Sequence, residues 1–500
     1  MGEVIGMFRK GFDNDLYIKR QSEKIKERID EFGGKLYMEF GGKLFDDLHA
    51  SRVLPGFEPD SKMRMLLSFG SDVEMIITIC ANDIEKHKKR GDLGISYDDD
   101  VLRLFDAYTG AGIYICGVVI TQYDHQPGAD KFISKLRSFG IKTYLHYPIK
   151  GYPDDVQHIV SDEGFGKNDY VKTTKPLVVV TGPGPGSGKM ATCMSQLYHD
   201  YKRGISSGYA KFETFPVWNM PLDHPVNRAY EAATVELNDR NIIDTYHKAA
   251  TDVTAVSYNR DMDAFPVLRA TFELIWGKCP YVSPTSMGVN MVGFCITDDA
   301  ACCEAAKREI LRRWFITHTE YKKGNLELAA VQKADSILEE SGVSVTDNPA
   351  IGAARIRENN TGAPSAAMEL PDGRIVTGKT SSLLGASAAL LLNALKVLAN
   401  IPKPIKLISP DVLEPITDLK VKYLGHRNPR LHSDEVLIAL CISAVTNPDA
   451  RLAQEQLSKL NGCEAFFSVI PSHVDEKTYK KLGINVSCEP VYESTKLYHK

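Results

Sequence analysis

The sequence predicts a multi-domain α/β protein, and three observations support this fold class. Short apolar runs alternate with amphipathic stretches through the first two hundred residues, as in α/β folds. A glycine-rich segment, GPGPGSGK, follows the most β-branched of these runs. The chain also has 500 residues, more than one hydrophobic core usually organises, so two to four domains are expected.

The predicted strands of the N-terminal part are KLYMEF from residue 35, EMIITICA from 74, YICGVVIT from 114, KTYLHY from 142 and PLVVVT from 176. Between them, Tyr97 to Tyr108 and Gln126 to Phe139 have helical spacing, and each is soon followed by glycine, a frequent helix terminator. We therefore predict a mostly parallel sheet in residues 1–224, with ligands at the carboxyl ends of its strands.

Two further domains are predicted from changes in pattern. Residues 225–345 have helical periodicity and few strand signals, which indicates a mainly helical domain. Residues 346–500 form a second α/β unit: AAMELPDGRIVTG reads as two strands around a Pro-Asp-Gly turn, and KPIKLIS and CEAFFSVI read as further strands.

The glycine-rich loop is the strongest chemical signal. Glycines let successive backbone N–H groups point inward, the following helix N-terminus adds partial positive charge, and a lysine can neutralise a phosphate. The sequence therefore predicts a site for ATP, another nucleotide or another phosphorylated small molecule. Its binding residues are Gly182, Gly184, Gly186, Ser187, Gly188 and Lys189.

The loop departs from the nucleotide-hydrolase pattern GxxxxGK[ST] in two places. Pro183 replaces the first glycine, and Met190 replaces the hydroxyl residue that binds magnesium. Thr192 is the nearest hydroxyl beyond it. The same stretch also fits the dinucleotide pattern GxGxxA through Gly186, Gly188 and Ala191, so both interpretations and the need for magnesium stay open.

Candidate catalytic residues lie in loops outside this segment. The segment EFGGKLFDDLHASR, at the end of the first strand, has polar groups that either bind a substrate or are the solvated charges of a turn. For YNRD at 258–261 a functional and a structural role are likewise both open. Asp124 and His426 adjoin His125 and Arg427 as acid–base pairs, although a structural role is the more frequent one for such pairs. The full candidate set is Lys43, Asp46, Asp47, Asp124, Lys379 and His426.

Composition argues against several classes of function. The formal net charge is −4 and basic residues form no stripe, which disfavours nucleic-acid binding. The N-terminus lacks a secretory pattern, and the ten cysteines form no CxxC pair, so we expect a cytoplasmic protein with reduced thiols. The thirteen histidines show no metal spacing, so no metal site and no zinc are expected. The apolar run 383–401 contains Lys396, which indicates a buried helix and not a membrane span.

Long segments resemble an uncharacterised bacterial family of about five hundred residues, known only as a domain of unknown function. They include EFGGKLFDDLHASRVLPGF, VVVTGPGPGSGKMATCMSQLYHDYKRG, SPTSMGVNMVGF and LPDGRIVTGKTSSLLGASAALLLNALK. The resemblance implies a multi-domain α/β protein whose C-terminal portion has a cytidine-deaminase-like fold. Deaminase chemistry does not follow, because Lys379 succeeds Gly378 and residues 346–500 contain neither HxE nor PCxxC. That portion resembles the metal-free members, such as the transformylase of purine synthesis.

Two functions from different classes remain after this reading. One is an enzyme, a transferase or ligase that uses ATP or a phosphorylated metabolite at the loop. The other is a sensor or scaffold that binds a nucleotide or metabolite without turnover, for which Met190 is the main argument. Size and domain number favour the enzyme, and a homo-oligomer stays open.

Overall fold

A computed structural model describes residues 4–5, 8–41, 43–90, 94–237 and 239–494. Gly42, half of the Gly-Gly turn noted in the sequence, lies outside the described residues. No described helix has the length and apolar character needed to cross a membrane. The run 383–401 contains a helix of 13 residues that is buried on one side, as the sequence predicts.

The N-terminal part alternates strands and helices. Its strands are β1 (Val4–Ile5), β2 (Phe8–Arg9), β3 (Leu36–Phe40), β4 (Val73–Cys80), β5 (Tyr114–Thr121), β6 (Thr143–Leu145), β7 (Leu177–Thr181) and β8 (Gly208–Phe212). Its helices are α1 (Asn14–Glu31), α2 (Leu48–Val53), α3 (Ser61–Leu67), α4 (Ala81–Glu85), α5 (Tyr97–Gly110), α6 (Pro127–Ser138), α7 (Val156–Ile159) and α8 (Lys189–Lys202). All five predicted strands and both predicted helices of this part are present.

The middle part is mainly helical with three short strands among the described residues. It contains α9 (Pro225–Ala233), β9 (Asn241–Ile243), α10 (Thr245–Thr251), β10 (Val256–Tyr258), α11 (Asn259–Trp276), α12 (Pro284–Met287), β11 (Gly288–Val289), α13 (Asp299–Lys322) and α14 (Leu328–Glu340). β9 and β10 pair with each other, whereas β11 joins β8 of the N-terminal part in parallel.

The main sheet has seven parallel strands in the order β11-β8-β3-β7-β4-β5-β6. Two layers of helices cover it. Alternate residues of the strands, such as Met38 and Val179, pack with α1, α3, α5 and α6 in one core, while Tyr37 and Val180 pack with α8 and α11 in another. Strands buried on both faces read as near-continuous apolar runs, which explains why the sequence predicts them well.

β7 occupies a special position because its connection leaves the sheet on the opposite side from those of its neighbours. The helices that follow β3 and β4 belong to the first layer, whereas α8, which follows β7, belongs to the second. Neighbouring connections that diverge in this way open a crevice at the carboxyl ends of the strands. The glycine-rich loop therefore lies at a topological switch point, the usual ligand position in such sheets.

The C-terminal part has its own mixed sheet, in the order β13-β12-β14-β15. Its elements are α15 (Pro349–Thr361), β12 (Ser365–Glu369), β13 (Ile375–Lys379), α16 (Ala386–Leu398), α17 (Pro410–Asp418), α18 (Ser433–Ser443), α19 (Pro448–Gln454), β14 (Glu464–Phe467), α20 (His473–Lys481) and β15 (Asn485–Cys488). β12 is antiparallel to β13 and β14, and β14 is parallel to β15. The predicted hairpin and the CEAFFSVI strand are both present.

The strand predicted at KPIKLIS is wrong, because residues 403–409 form turns and irregular backbone. Pro404 lies inside the run and Pro410 ends it. Proline has no backbone N–H to donate to a neighbouring strand, so the run cannot take a central place in a sheet.

The C-terminal part packs against α13 through apolar and charged contacts. Phe315 of α13 meets Phe466 of β14 edge to face, with ring centroids 4.9 Å apart. The guanidinium of Arg308 donates to Glu369 of β12 at 2.6 Å. α13 thus contacts the C-terminal sheet as well as the helices α2, α9 and α14.

Candidate functional site

The loop from Gly182 to Gly188 connects β7 directly to α8, and its shape requires glycine. Gly186 has φ +78° and Gly188 has φ +86°, values in the left-handed region that side chains disfavour. A Cβ at Gly184 would lie 2.3 Å from the hydroxyl of Tyr97, so this position also excludes larger residues. The backbone can therefore fold back tightly over the helix N-terminus.

The backbone amides of this loop are available to a ligand. Within the described residues, the N–H groups of Gly184, Gly186, Ser187 and Gly188 donate no hydrogen bond, and α8 begins without a side-chain cap. Pro185 and Gly186 are exposed to solvent. Unpaired N–H groups ahead of a helix N-terminus form a concavity that binds anions.

Ser187 anchors the loop and does not face a ligand. Its side chain is fully buried, and its Oγ accepts a hydrogen bond from Thr78 of β4 at 3.3 Å. Its carbonyl oxygen accepts one from the hydroxyl of Thr121 of β5 at 3.0 Å. These contacts tie the loop to two neighbouring strands, so Ser187 contributes its backbone N–H and not its hydroxyl.

Lys189 places its ammonium group inside the loop. Its Nζ donates to the carbonyl oxygen of Gly184 at 3.1 Å and to Ser187 Oγ at 3.3 Å. Burial lowers the pKa of Lys189, which the charge of Glu39 partly opposes. The ammonium therefore has two neutral acceptors, and an anionic oxygen would be a stronger partner for it.

Neither residue discussed as a magnesium ligand reaches the loop interior. Met190 packs against the core between the sheet and α8. The hydroxyl of Thr192 is buried and has no hydrogen-bond partner among the described residues. Among the described residues, no three ligand atoms of His, Cys, Asp or Glu converge beside the loop.

Beside Lys189 lies a charged cluster that consists of Glu39, Lys211, Glu213 and Asp261. Glu39 of β3 and Lys211 of β8 are register partners, so both project from the same face of the sheet. Lys211 contacts Glu213 at 3.2 Å and forms an ion pair with Asp261. The hydroxyl of Tyr209 donates to Glu39 at 2.7 Å. All four charged side chains are half-buried, so the cluster is open on one side.

The surroundings in the cluster shift the pKa of Glu213 and of Lys211. Burial, with a further contribution from Asp261, raises the pKa of Glu213 to about 7, against the opposing charge of Lys211. Burial alone would lower the pKa of Lys211, but Asp261 and Glu213 raise it above its ordinary value. A carboxyl that exchanges its proton near neutral pH, next to a permanent cation, is typical of acid–base catalysis.

Of the three candidate residues that follow β3, one is buried in a structural ion pair and two are half-buried. Asp47 is buried, where it caps α2 and contacts Lys62 at 2.7 Å. That ion pair lowers the pKa of Asp47 although burial, the largest effect, opposes it. Asp46 is half-buried between Arg90 and Arg103, at 3.8 and 3.9 Å. Lys43 is half-buried in the same loop.

The remaining candidates stand apart from the loop. Asp124 follows β5 at the same edge of the sheet, with an exposed side chain and a backbone N–H that donates to Gln126 at 2.8 Å. Lys379 ends β13 and His426 follows α17, both exposed in the C-terminal part. No contact among the described residues joins either of them to the loop. The structure therefore does not assemble the six candidates into one site.

Sequence reasoning missed Glu39, Lys211 and Glu213. The signal was a charged residue inside a buried strand, Glu39 in KLYMEF, but β8 was not predicted, so the partner of Glu39 stayed hidden. Asp261 was noted within YNRD as part of a loop. The structure instead places Asp261 in the first turn of α11, whose N-terminus faces the cluster.

Comparison with known proteins gives a consistent result over the whole length. The model of the domain of unknown function DUF1846, N-terminal, matches residues 10–342, and the model of its C-terminal domain matches residues 346–498. The chain is similar to the UPF0371 protein of Streptococcus pneumoniae strain JJA, 54% identical over 494 residues, which cover 99% of this chain and 100% of that protein. The UPF0371 protein of strain CGSP14 matches with the same identity and coverage.

Proposed function

The chain belongs to the bacterial DUF1846 family, a domain of unknown function, and from its geometry we propose that the glycine-rich loop binds a phosphorylated small molecule. The ligand is ATP, another nucleotide or a sugar or acid phosphate. The charged cluster beside Lys189 would then act on the part of the ligand, or on the second substrate, that extends from the bound phosphate.

One observation carries this proposal: four unpaired amides and a buried ammonium group converge at the switch point of a parallel sheet. Successive backbone N–H groups without protein partners bind anions, and a phosphate would supply several acceptor oxygens at once. Binding would move the ammonium of Lys189 from neutral oxygens to charged ones, which makes shorter and stronger hydrogen bonds.

We favour an enzyme, a transferase or ligase, over a protein that only binds. Glu213 is suited to remove a proton from an attacking hydroxyl or amine because its pKa is raised to about 7 by burial. Lys211 would stabilise negative charge that develops during transfer. The reaction would proceed at the carboxyl edge of β3 and β8, next to the phosphate.

The alternative, a sensor without turnover, has its own support. Met190 packs into the core and Thr192 is buried, so the loop has no hydroxyl to complete a magnesium shell. A hydrolase that needs magnesium would have to recruit an acid from elsewhere, with Asp46, Asp47 and Asp124 the sequence candidates. Asp47 is engaged with Lys62 and Asp46 lies between Arg90 and Arg103, so the exposed Asp124 is the candidate least committed to a basic partner.

Binding is tested by calorimetric titration with ATP, AMP, inorganic phosphate and sugar phosphates, each with and without magnesium. We expect Lys189→Ala to weaken the best ligand by roughly 1 to 3 kcal/mol, since a charge-assisted hydrogen bond is lost. The matched control is Lys202→Ala at the other end of α8, where an exposed lysine pairs with Asp162 at 3.1 Å. Equal affinity in wild type and Lys189→Ala would refute the phosphate site.

Turnover is tested with Glu213→Gln, which keeps the shape of the side chain but removes the base. An enzyme should lose catalytic rate while its phosphate affinity stays within about twofold, because the loop is unchanged. A sensor would show no turnover in wild type under any of the ligand conditions that give binding. Wild-type turnover that Glu213→Gln leaves intact would exclude Glu213 as the base.

For the C-terminal part we infer a metal-free, deaminase-like unit. Its support is the β12–β13 hairpin, with α16 packed so closely that a Cβ at Gly378 would lie 2.4 Å from the backbone nitrogen of Leu390. Lys379 follows this glycine, at the position where a zinc deaminase would have a metal-binding residue, and its side chain is exposed. Elemental analysis of the isolated wild-type protein tests for zinc. Variants that remove candidate ligands one site at a time would show whether any zinc found lies in this part.

We also infer a cytoplasmic location. All ten cysteines are free thiols, and seven of them are buried. A reducing compartment preserves such thiols without disulfides. Fractionation of cells that produce the protein would test the location directly.

A further inference from the structure

We propose that His224, Asp299 and Cys303 form a binding site for a divalent transition metal ion of the zinc type. The three side chains come from two distant parts of the sequence, His224 from one and the other two from the start of α13, and they meet on the surface of the middle part. This site is separate from the glycine-rich loop, and the inference does not depend on the proposed function of that loop.

Local structure explains why these side chains meet. His224 is the residue before α9, where Pro225 starts the helix, and α9 packs along α13. Asp299 and Cys303 are four residues apart in the first turns of α13, so they lie on one face of that helix. Asp298 is engaged elsewhere, as the cap of α13 and the ion-pair partner of Arg9. The two helix starts thus hold three different ligand types on facing surfaces.

The distances between the ligand atoms fit a tetrahedral ion. With zinc–ligand bonds of ordinary length, tetrahedral geometry requires about 3.3 Å between nitrogen and oxygen and about 3.5 Å from sulfur to either. The observed separations are 3.1 Å from His224 Nε2 to Asp299 Oδ1, 3.5 Å from Nε2 to Cys303 Sγ, and 3.8 Å from Sγ to Asp299 Oδ2. His224 and Cys303 contact different oxygens of Asp299, so the carboxylate has to rotate before one of its oxygens meets both other ligand atoms; one ligand atom from each residue already lies within 4.8 Å of the other two.

A catalytic Cys-His-Asp relay does not explain the same arrangement. In a relay the thiol contacts one imidazole nitrogen and the acid contacts the other. Here Cys303 and Asp299 both contact Nε2 of His224, while Nδ1 accepts a hydrogen bond from the N–H of Val226 at 3.2 Å. One nitrogen cannot accept a proton from the thiol and donate one to the carboxylate. Convergence of all three ligand atoms on one point is the geometry of a metal site.

The chemistry of the ligand set suits zinc better than magnesium or calcium. Thiolate and imidazole select borderline or soft ions, whereas magnesium and calcium prefer oxygen ligands. A thiolate and a carboxylate together neutralise a doubly charged ion. The side chain of Asp299 is 62% exposed, so a water molecule can reach the fourth position.

Metal binding has a defined proton balance. The thiol of Cys303 gives its proton to water as the sulfur–metal bond forms. When Nε2 of His224 binds the ion, the neutral ring carries its proton on Nδ1, so the hydrogen bond from Val226 is lost. Binding therefore changes the start of α9, which gives a second, spectroscopic readout of occupancy.

The inference revises the expectation that the chain has no zinc. That expectation was based on short metal-binding spacings along the sequence. His224 and Asp299 are 75 residues apart, so no such spacing could reveal this ligand set. Within the described residues, this is the one group of three or more His, Cys, Asp or Glu side chains whose ligand atoms converge.

The test uses full-length, metal-free protein under reducing conditions, with cobalt(II) as the spectroscopic probe. Wild type should bind one cobalt ion per chain with a thiolate-to-cobalt charge-transfer band, and zinc should displace it. Cys303→Ser should lose that band and bind zinc at least tenfold more weakly. Asp299→Asn should keep the band and also bind more weakly. Cys441→Ser is the matched control, because Cys441 is an exposed cysteine in the C-terminal part.

Two further measurements make the result decisive. Unfolding of each variant in the presence of a chelator shows whether the fold is intact, and nitrogen chemical shifts of His224 show whether its proton moves to Nδ1 when zinc is added. The proposal is overturned by a wild type without a thiolate–cobalt band, by equal zinc affinity of wild type and a folded Cys303→Ser, or by a band that disappears in Cys441→Ser.

Discussion

Glu309 of α13 is the centre of a buried ionic cluster, and its replacement by glutamine should destabilise the protein strongly. The carboxylate is 1% exposed, accepts two hydrogen bonds from Arg312 at 2.7 Å, and accepts another from Arg313 at 2.8 Å. It also contacts Arg52 and His49 of α2, each at 3.1 Å. Glu309→Gln removes the only negative charge in direct contact with these three guanidinium groups among the described residues.

The size of the effect follows from the desolvation of the remaining cations. Burial lowers the pKa of Arg52 to about 9, which shows how poorly this site solvates a positive charge. Removing one partner of a buried ion pair costs roughly 3 to 5 kcal/mol. If the N-terminal and middle parts, which one family model matches over residues 10–342, unfold as one unit, the unfolding entropy converts this to a melting temperature lower by roughly 4 to 7 °C.

The assay is thermal unfolding followed by circular dichroism, with Glu304→Gln as the matched control. Glu304 lies on the same helix, is 64% exposed, and contacts Arg308 at 3.7 Å. Exposed pairs of this kind contribute about 0 to 1 kcal/mol, so the control should shift by roughly 1 °C or less. If Glu309→Gln unfolds within about 1 °C of Glu304→Gln, the reasoning about an uncompensated buried charge is wrong.

Three further predictions address the loop and the C-terminal part. Gly186→Ala should weaken phosphate binding and cost roughly 1 kcal/mol of stability, because alanine is strained at φ +78°; unchanged affinity and melting temperature would contradict this. Met190→Thr should leave the ligand affinity measured without magnesium unchanged. Calorimetry with magnesium will show whether the added hydroxyl makes binding depend on the ion. A lower affinity of the variant without magnesium would assign Met190 a role in binding. Asp475→Asn should destabilise the protein most between about pH 4 and 6.5, as urea unfolding across pH would show. Burial raises the pKa of Asp475, but its hydrogen bonds outweigh burial and lower the pKa, so the carboxylate stabilises the fold above its unfolded pKa and this stabilisation is lost as pH falls. The carboxylate also raises the pKa of His432. The stabilisation from the charged histidine is therefore present below the unfolded histidine pKa and is lost as pH rises through the folded histidine pKa. An effect that is the same at pH 5 and pH 8 would exclude the pair as its cause.

The predicted elements that proved correct are those with strong local patterns. β4 and β7 are continuous apolar runs, and α5 begins directly after Ser96, whose side chain caps the helix by accepting from the N–H of Asp99. The glycine-rich loop was also found from sequence, since positive φ values at its turns require glycine. β8 was missed because Lys211 interrupts its apolar pattern.

The candidate site was predicted only in part, because the glycine-rich loop has a local sequence pattern whereas the charged cluster is formed by residues distant in sequence. Lys189 and the loop amides are adjacent in sequence, so a local pattern identifies them. Glu39, Lys211 and Glu213 become neighbours only when β3 pairs with β8 across 170 residues. Their burial depends on α8 and α11 covering that face of the sheet, as do the shifted pKa values of Lys211 and Glu213, and no local pattern records this.

By itself, the sequence determined the α/β class, the strands buried on both faces, the glycine-rich loop and the family, because each depends on residues close together along the chain. Only the tertiary structure decided the position of that loop at the switch point, the partners of Glu309, and the meeting of His224 with Asp299 and Cys303. These features arise from strand order and helix packing, which bring distant residues within hydrogen-bonding range. The energy of a buried charge or a metal ligand set depends on that environment, so it cannot be read from the residue types alone.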